Sequence, residues 1–600
     1  MSSARVLHAV PPSSTWSRRH AVLLALLIGA FVVAALPQCA DLSRYHGDER
    51  FYTDAALSMR DSGDWLTPRY ADGSGRFNKP FLAYWLIGAS CELFGVSSLA
   101  ARLPFLLAGA VILWATARAA RVLFRDAHAA LFAAVLLGSS PEFLQLVTRT
   151  TPDALLAAGV GVALAGAAEL AFSERPARAA AWLFLGGAGI ALLAKGGLGL
   201  LAPAFGLAWI GARRGRAGLA SALRAGPLLL FAVLALGAFG PLLVAGGSVG
   251  LAKTIDDQVG TRFAESPAMV ADNVATYLQC VVRHLLPWTA LALGALLFAR
   301  RRTAEWARGR GGEIAFVAAW YLVLLAIFSS GNIQRGRYFL PAYPLVAALV
   351  AALIAGTFAT ALGARVLRWT SFALAGTALL GAAALTWAAA RLGSASPTAI
   401  AALAVALAGV AVLVRAARPS HARAVGAETV EGNTQGADEP SPLVAPVVAC
   451  ALLAIALPLG ERSLRAGFDA APSVELAARL EALGARGRAV QCFGGEAAFA
   501  SQMRLLSAGR LDPTWSKALP ASLAADARFV VLAPDIDEAA LATLVAPRTI
   551  AAREACGFDY GKWRAADVRT VLAADDSAAE LARRQRAYRI VTLAPPPKSD

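Results

Sequence analysis

Apolar and polar positions alternate along this chain on a coarse scale. Thirteen apolar stretches near residues 21–37, 98–117, 129–146, 153–172, 180–194, 197–212, 226–246, 285–299, 313–330, 338–358, 370–390, 398–414 and 442–460 are separated by polar loops. Most have about the length that carries a helix across hydrocarbon. The pattern predicts an α-helical polytopic membrane protein with about thirteen transmembrane helices. The first stretch follows Arg5, Arg18 and Arg19 and has the outline of a signal peptide. Its length, and the lack of a small-residue cleavage site at Pro37-Gln38-Cys39-Ala40, favour an uncleaved first span.

Loop charge tests this register, because each crossing changes side. The N-terminus and alternate loops hold twenty-two arginines: Arg5/18/19, Arg118/121/125, Arg175/178, Arg213/214/216/224, Arg300/301/302/308/310, Arg365/368 and Arg415/418/423. The opposite short loops hold five cations: Arg149, Lys195, Arg335, Arg337 and Arg391. Residues 1–20 and the arginine-rich loops are therefore expected in the cytoplasm. The apolar segment Pro80 to Gly95 is short for a span, with Lys79 before it and Glu92 within it. Counted as a crossing it would reverse every later loop, so it is expected to be an interfacial helix.

That register leaves two large outer loops, 38–97 and 247–284, joined to a transmembrane unit spanning 21–460. Within the first, Glu49 to Asp61 is amphipathic. Beyond residue 460 the pattern changes to helix-like stretches (Val474–Leu483, Glu538–Leu544) and short β-rich runs (Ala489–Phe493, Arg528–Ala533). Nineteen Lys and Arg against seventeen Asp and Glu make 461–600 nearly neutral. This predicts a small extracytoplasmic α/β domain.

Composition narrows the class further. With 57% hydrophobic and 16% charged residues the chain is not a soluble globular protein. A net charge of +16 suggests nucleic acid in a soluble protein, but here the cations follow the positive-inside distribution, so membrane lipids and no nucleic acid are expected. The six cysteines show no metal spacing. Cys492 and Cys556 have the option of pairing if the tail lies outside the cytoplasm.

Several costly polar residues gather in the outer loops or at outer helix ends: Asp48, Glu49, Arg50, Arg69, Lys79, Asp153, Lys195, Arg335, Arg337 and Tyr338. Each has an ordinary structural reading. Asp48, Glu49 and Asp153 stand where acidic residues complement a helix start. Lys195 has the reach to snorkel, Lys79 has the place of a helix anchor, and Arg335, Arg337 and Tyr338 make an interfacial lip. Together they also suit glycosyl transfer from a lipid phosphate. Cations stabilise the departing phosphate by charge-assisted hydrogen bonds, and a carboxylate can deprotonate the acceptor. No P-loop, metal box or nucleophile elbow is present.

A resemblance sharpens this reading. Gly47-Asp48-Glu49-Arg50-Phe51-Tyr52, Ser62-Gly63-Asp64-Trp65-Leu66-Thr67-Pro68-Arg69, Asn78-Lys79-Pro80, Tyr84-Trp85 and Ala101-Arg102-Leu103-Pro104 occur in that order. Thr151-Pro152-Asp153-Ala154-Leu155-Leu156, Leu193-Ala194-Lys195-Gly196 and Tyr338-Phe339-Leu340-Pro341-Ala342-Tyr343-Pro344 follow. Over roughly 20–350 the chain resembles the ArnT-like branch of the protein mannosyltransferase superfamily. The resemblance implies a GT-C fold and inverting sugar transfer from a polyprenyl (undecaprenyl) phosphate donor, with aminoarabinose and lipid A as one sugar and acceptor. It implies Asp48 as base, Asp153 as a second acidic site residue, Lys79 on the donor phosphate, and Tyr338 with its neighbouring arginines near that phosphate. Glu49 joins the catalytic candidates, and Arg50, Arg69 and Lys195 the phosphate-binding ones. Asn78 stands where the family usually has Glu, and Arg50 is displaced by one position, about 100° around a helix. The histidine-rich stretch is missing near Arg262 to Asp272. These departures weaken the case for aminoarabinose and for a metal, so no cofactor is expected.

The alternatives are the same chemistry on a protein, polysaccharide or other lipid acceptor, a transporter or lipid flippase, and a non-enzymatic scaffold. A transporter predicts charges within spans and broken, repeated halves. The charges here favour loops on one side.

Overall fold

The computed structural model describes residues 16–42, 45–69, 75–77, 79–255, 263, 266–358, 361–391, 397–417, 472–495, 498–524, 526–545, 549–559, 570–583 and 586–594. Among them the chain forms a helical bundle joined to a smaller unit built on a β-sheet. Twelve of the thirteen apolar stretches fall on helices, and the last, 442–460, lies outside the described residues. Eight helices among the described residues are long and apolar enough to cross a membrane, or up to ten if each bent pair makes one span. One of these eight, Ala179–Ala222, contains two of the predicted stretches.

The bent pairs have a local cause. Helices α5 (Ala127–Gly138) and α6 (Pro141–Val147) meet at 71°, where Pro141 starts a new helix and Ser140 Oγ accepts the Phe143 N–H. Helices α11 (Pro267–His284) and α12 (Trp288–Phe298) meet at 100° across Pro287. In the second pair α12, at 11 residues, is too short for an independent span, and α11, at 18, is too polar for one.

In the first outer loop the amphipathic stretch forms α2 (Glu49–Ser62), closed by Gly63 at φ +71°. The short apolar segment forms α3 (Leu82–Phe94), with Ala83, Tyr84, Ile87 and Cys91 buried. At the centre of the bundle lies α7 (Pro152–Phe172), packed on α4 (Ser98–Phe124), α8 (Ala179–Lys195) and α9 (Leu201–Ala222). Small residues let α7 and α8 approach closely. A Cβ on Gly159 would lie 2.5 Å from the Ala191 backbone nitrogen, and one on Gly187 2.5 Å from that of Ala163. The antiparallel pairing sets the start of α7 beside the end of α8, which positions the site.

In the C-terminal unit the strand order is β2-β1-β3-β5-β4, with β1 (Ala489–Phe493), β2 (Asp512–Ser516) and β3 (Phe529–Leu532) parallel. Strand β5 (Arg586–Leu593) runs antiparallel to β3 and to β4 (Ile550–Asp559). Helices α18 (Pro472–Ala482) and α19 (Ala498–Leu506) pack on one another and flank the sheet. Cys492 on β1 and Cys556 on β4 are separated by two intervening strands, buried and free, so the optional pairing is not formed. Leu505 of α19 is buried in the same apolar core as the membrane helices.

Candidate functional site

The site is built from four chain segments. Thr151 enters α7 extended and Pro152 occupies its first turn, so Asp153 emerges at the buried helix start. The α8 helix ends on Lys195, followed by Gly196 at φ +63°. Lys195 Nζ lies 2.5 Å from Asp153 Oδ1, with both side chains nearly buried. A 3-10 turn, Gly336–Ala342, then leads into α15 (Tyr343–Thr357) and presents Arg337 between two carboxylates. Its Nη2 donates to Asp48 Oδ2 at 2.5 Å and its Nε lies 3.5 Å from Asp153 Oδ2. Arg335 donates to the same Asp48 oxygen.

The result is a continuous charge chain, Arg335–Asp48–Arg337–Asp153–Lys195. Beside it is a cavity of about 120 Å³ lined by Lys79, Lys195, Leu198, Ile327, Phe328, Gly331, Ile333 and Tyr338. Lys195 Nζ stands 4.3 Å from the Tyr338 ring centroid, within cation–π range. Counting Lys79, four cations face two carboxylates. A site of this kind attracts an anion, and its apolar wall suits a chain attached to that anion.

Asp48 precedes α2, yet its side chain makes no capping bond; the carboxylate serves the arginines instead. Partial burial opposes its ionisation, but the hydrogen bond from Arg337 and the charges of Arg337 and Arg335 outweigh this and hold the carboxyl below its usual range. His46 Nδ1 accepts the Asp48 N–H at 3.1 Å. Burial first, then the charge of Arg149, lowers the His46 pKa and favours the neutral ring that this hydrogen bond requires.

Three expected residues lie elsewhere. Glu49 is fully buried and takes two hydrogen bonds from Arg102, both at 2.8 Å. It also accepts the N–H groups of His46 at 2.8 Å and Thr150 at 3.0 Å. Its oxygens hold α2 to α4 and to the entrance of α7, with no lone-pair direction left for a substrate. Arg50 lies 4.2 Å from the Phe51 ring centroid and 5.6 Å from that of Trp515. Arg69 is exposed, in a backbone bridge with Gly75. Arg102 and His46 were absent from the expected site, and Arg149 was expected only as one of the outer-side cations without a role. Arg149 has a buried Nε without a hydrogen-bond partner. The sequence signal for Arg102 was its charge within an otherwise apolar run. Asn78 and Arg262 lie outside the described residues. Among the described residues no three or more His, Cys, Asp or Glu side chains are grouped to hold a metal ion, so no step is assigned to one.

Comparison with known proteins first defines the class. Residues 78–244 match the dolichyl-phosphate-mannose-protein mannosyltransferase family. The structure of ArnT from Cupriavidus metallidurans bound to undecaprenyl phosphate superposes with a TM-score of 0.60 at 17% identity, covering 95% of this chain and 97% of that one. The fold is therefore that of a helical GT-C membrane protein. The particular resemblance is to ArnT-like proteins, as the loop motifs implied. The undecaprenyl phosphate-α-4-amino-4-deoxy-L-arabinose arabinosyl transferase of Erwinia tasmaniensis is 27% identical over 369 residues, 58% of this chain and 62% of the relative. The Pseudomonas aeruginosa protein of the same name is 29% identical over 378 residues, 61% and 63%. The aligned part of this chain thus spans about three-fifths of the length of these curated relatives.

Proposed function

We propose that this protein is an integral-membrane glycosyltransferase, moving a sugar from a polyprenyl phosphate donor to an acceptor at the outer face of the cytoplasmic membrane with inversion. The observation that carries the reading is the charge chain from Arg335 to Lys195 beside an apolar cavity lined by Lys79 and Tyr338. The relatives' names support a polyprenyl phosphate donor, with 4-amino-4-deoxy-L-arabinose as one candidate sugar.

In this scheme the donor phosphate lies against Lys79, Lys195, Arg335 and Arg337, with the lipid along Leu198, Ile327 and Phe328. The acceptor atom bonds to the sugar's anomeric carbon from the face opposite the phosphate as the anomeric C–O bond breaks, and the cations take up the charge left on the phosphate oxygen. Arriving phosphate competes with Asp48 for the two arginines. Once they turn to the phosphate, the Asp48 carboxylate is freed to accept the acceptor's proton. Asp153 stays paired with Lys195 and Arg337 and fixes where they point. Glu49 acts through position alone: clamped to Arg102, it anchors the helix that begins beside Asp48.

Thirteen spans, an N-terminus in the cytoplasm and the sheet unit outside it complete the proposal, supported by the loop arginine distribution. Proteoliposomes with a polyprenyl-phosphate sugar, assayed for wild type, Asp48→Asn and Lys79→Ala, test the reading. Loss of transfer in both variants is expected; near-native turnover in both rejects it.

A further inference from the structure

Helix α2, which starts beside Asp48, is held from two sides. On the membrane side is the Glu49–Arg102 clamp. On the other is α19 of the C-terminal unit, with contacts spread along α2 and the segment before it. Tyr45 Oη and Ser501 Oγ are 2.7 Å apart, and Gln502 Nε2 donates to the Leu42 carbonyl at 3.4 Å. Arg504 Nη2 donates to Asp61 Oδ2 at 2.5 Å. Arg50 reaches Trp515, and Leu505 is buried in the membrane-side core. Between Tyr45 and Asp61 sits Asp54, close to Ser501 within this interface. None of these contacts touches the cavity or the charge chain.

We propose that the C-terminal unit is a positioning element for the Asp48 site, holding α2 through α19, and that Asp54 makes this hold tighten as the medium outside the membrane acidifies. The inference deepens the transferase reading and rests on it only for its effect on turnover; the docking itself is independent of that reading.

The groups facing Asp54 set the sign. In the docked arrangement its carboxyl is pushed up to about 6, first by burial, with the charge of Asp512 adding to the push. The Ser501 hydrogen bond and the charges of Arg504 and Arg50 work in the opposite direction. Tyr45, also beside Ser501, stays neutral because burial raises its pKa, with the charge of Asp54 adding to the rise. A group whose pKa is higher docked than free takes up a proton on docking. The contribution of that proton is fully present below the ordinary carboxylate range of about 4 and is lost as pH rises through about 6. Each unit of separation is tenfold in the docking equilibrium; because Asp54 keeps some contact with water, the expected change is of the order of tenfold.

The test is amide hydrogen exchange of the full-length protein in nanodiscs at pH 5.5 and 7.5, corrected for intrinsic rates. In wild type, protection of 49–62 and 498–506 should fall roughly two- to fourfold at the higher pH, the part of the shift that lies between these two values. Asp54→Asn, a neutral isostere, should keep the higher protection at both values. Arg504→Gln should lower protection at both while keeping the pH response, and Arg504→Lys should restore it. An unchanged pH response in Asp54→Asn, or none in wild type, overturns the proposal. If Asp54→Asn does not fold, Ser501→Ala gives the reading: it removes a contact that lowers the Asp54 pKa, so an enlarged pH response is expected and an unchanged or smaller one counts against the proposal. In transfer assays Arg504→Gln should lower kcat with donor KM unchanged. A wild type that transfers no sugar but shows the exchange pattern would sink the transferase reading and leave the latch standing.

Discussion

Two carboxylates adjacent in sequence, Asp48 and Glu49, have opposite surroundings. Glu49 is wholly buried, its oxygens taken by Arg102, His46 and Thr150. Asp48 has a side chain 24% exposed, held by two arginines next to a cavity. Both are carboxylate–guanidinium contacts, yet one is closed and the other is open to exchange. A buried pair with every hydrogen bond made is suited to hold structure. A partly exposed pair near a cavity, whose cations can turn to an incoming anion, is suited to work on a substrate.

The sharpest way to break this comparison is to neutralise each carboxylate. Asp48→Asn should reduce sugar transfer by about 10²–10⁴-fold, the span of general-base catalysis, while leaving the thermal unfolding midpoint nearly unchanged. Glu49→Gln or Arg102→Met should do the reverse first: a loss of about 3–5 kcal/mol of stability, because one charge is left buried without its partner. Denaturant titration in micelles measures this. Replacing both by methionine should recover much of the loss. If Glu49→Gln is stable and inactive while Asp48→Asn is unstable, the two assignments must be exchanged.

A smaller effect sharpens the cavity side. Lys195→Met removes one cation from the proposed phosphate position while Asp153 keeps Arg337. Polyprenyl phosphate binding, followed by intrinsic fluorescence or calorimetry, should weaken by about 1.5–3 kcal/mol, the worth of a charged hydrogen bond. Unchanged affinity would place the phosphate elsewhere.

Most of the fold was legible in the sequence because a membrane helix is a long, one-dimensional signal. The runs read as strands, Ala489–Phe493 and Arg528–Ala533, correspond to β1 and β3, and Glu49 to Asp61 corresponds to α2. The bend within 129–146 was missed because continuous apolar composition conceals a break, with Pro141 the local sign. The bend at Pro287 falls where the outer loop 247–284 was read to meet the next span. At the site, residue types were legible but their partners were not. Lys195 was equally compatible with snorkelling, and only the antiparallel approach of α7 and α8 sets it on Asp153. Arg102 was seen as part of a motif, but its role depends on burial opposite Glu49, fifty-three positions away. Such pairings are set by packing of distant segments, and one chain read linearly does not contain them.

The least change, and the most specific, is a shift in pH dependence. Arg337 and Arg335 hold the Asp48 carboxyl below its usual range against the opposing effect of burial. A depressed carboxyl contributes stability above the ordinary carboxylate range and loses it as pH falls through the depressed value. The free enzyme's base should follow the same order, so wild-type kcat/KM should resist acid. Arg335→Gln removes the more exposed of the two arginines and leaves Arg337 in place. The Asp48 pKa should then rise, and the acid limb of kcat/KM should move to higher pH while the alkaline limb stays. Because the Arg335 side chain is 41% exposed, the shift should be smaller than for Arg337→Gln and should shrink further in high salt. An acid limb that stays in place in both variants would show that a group other than Asp48 titrates there, and the distinction between the open and the closed carboxylate would lose its catalytic half.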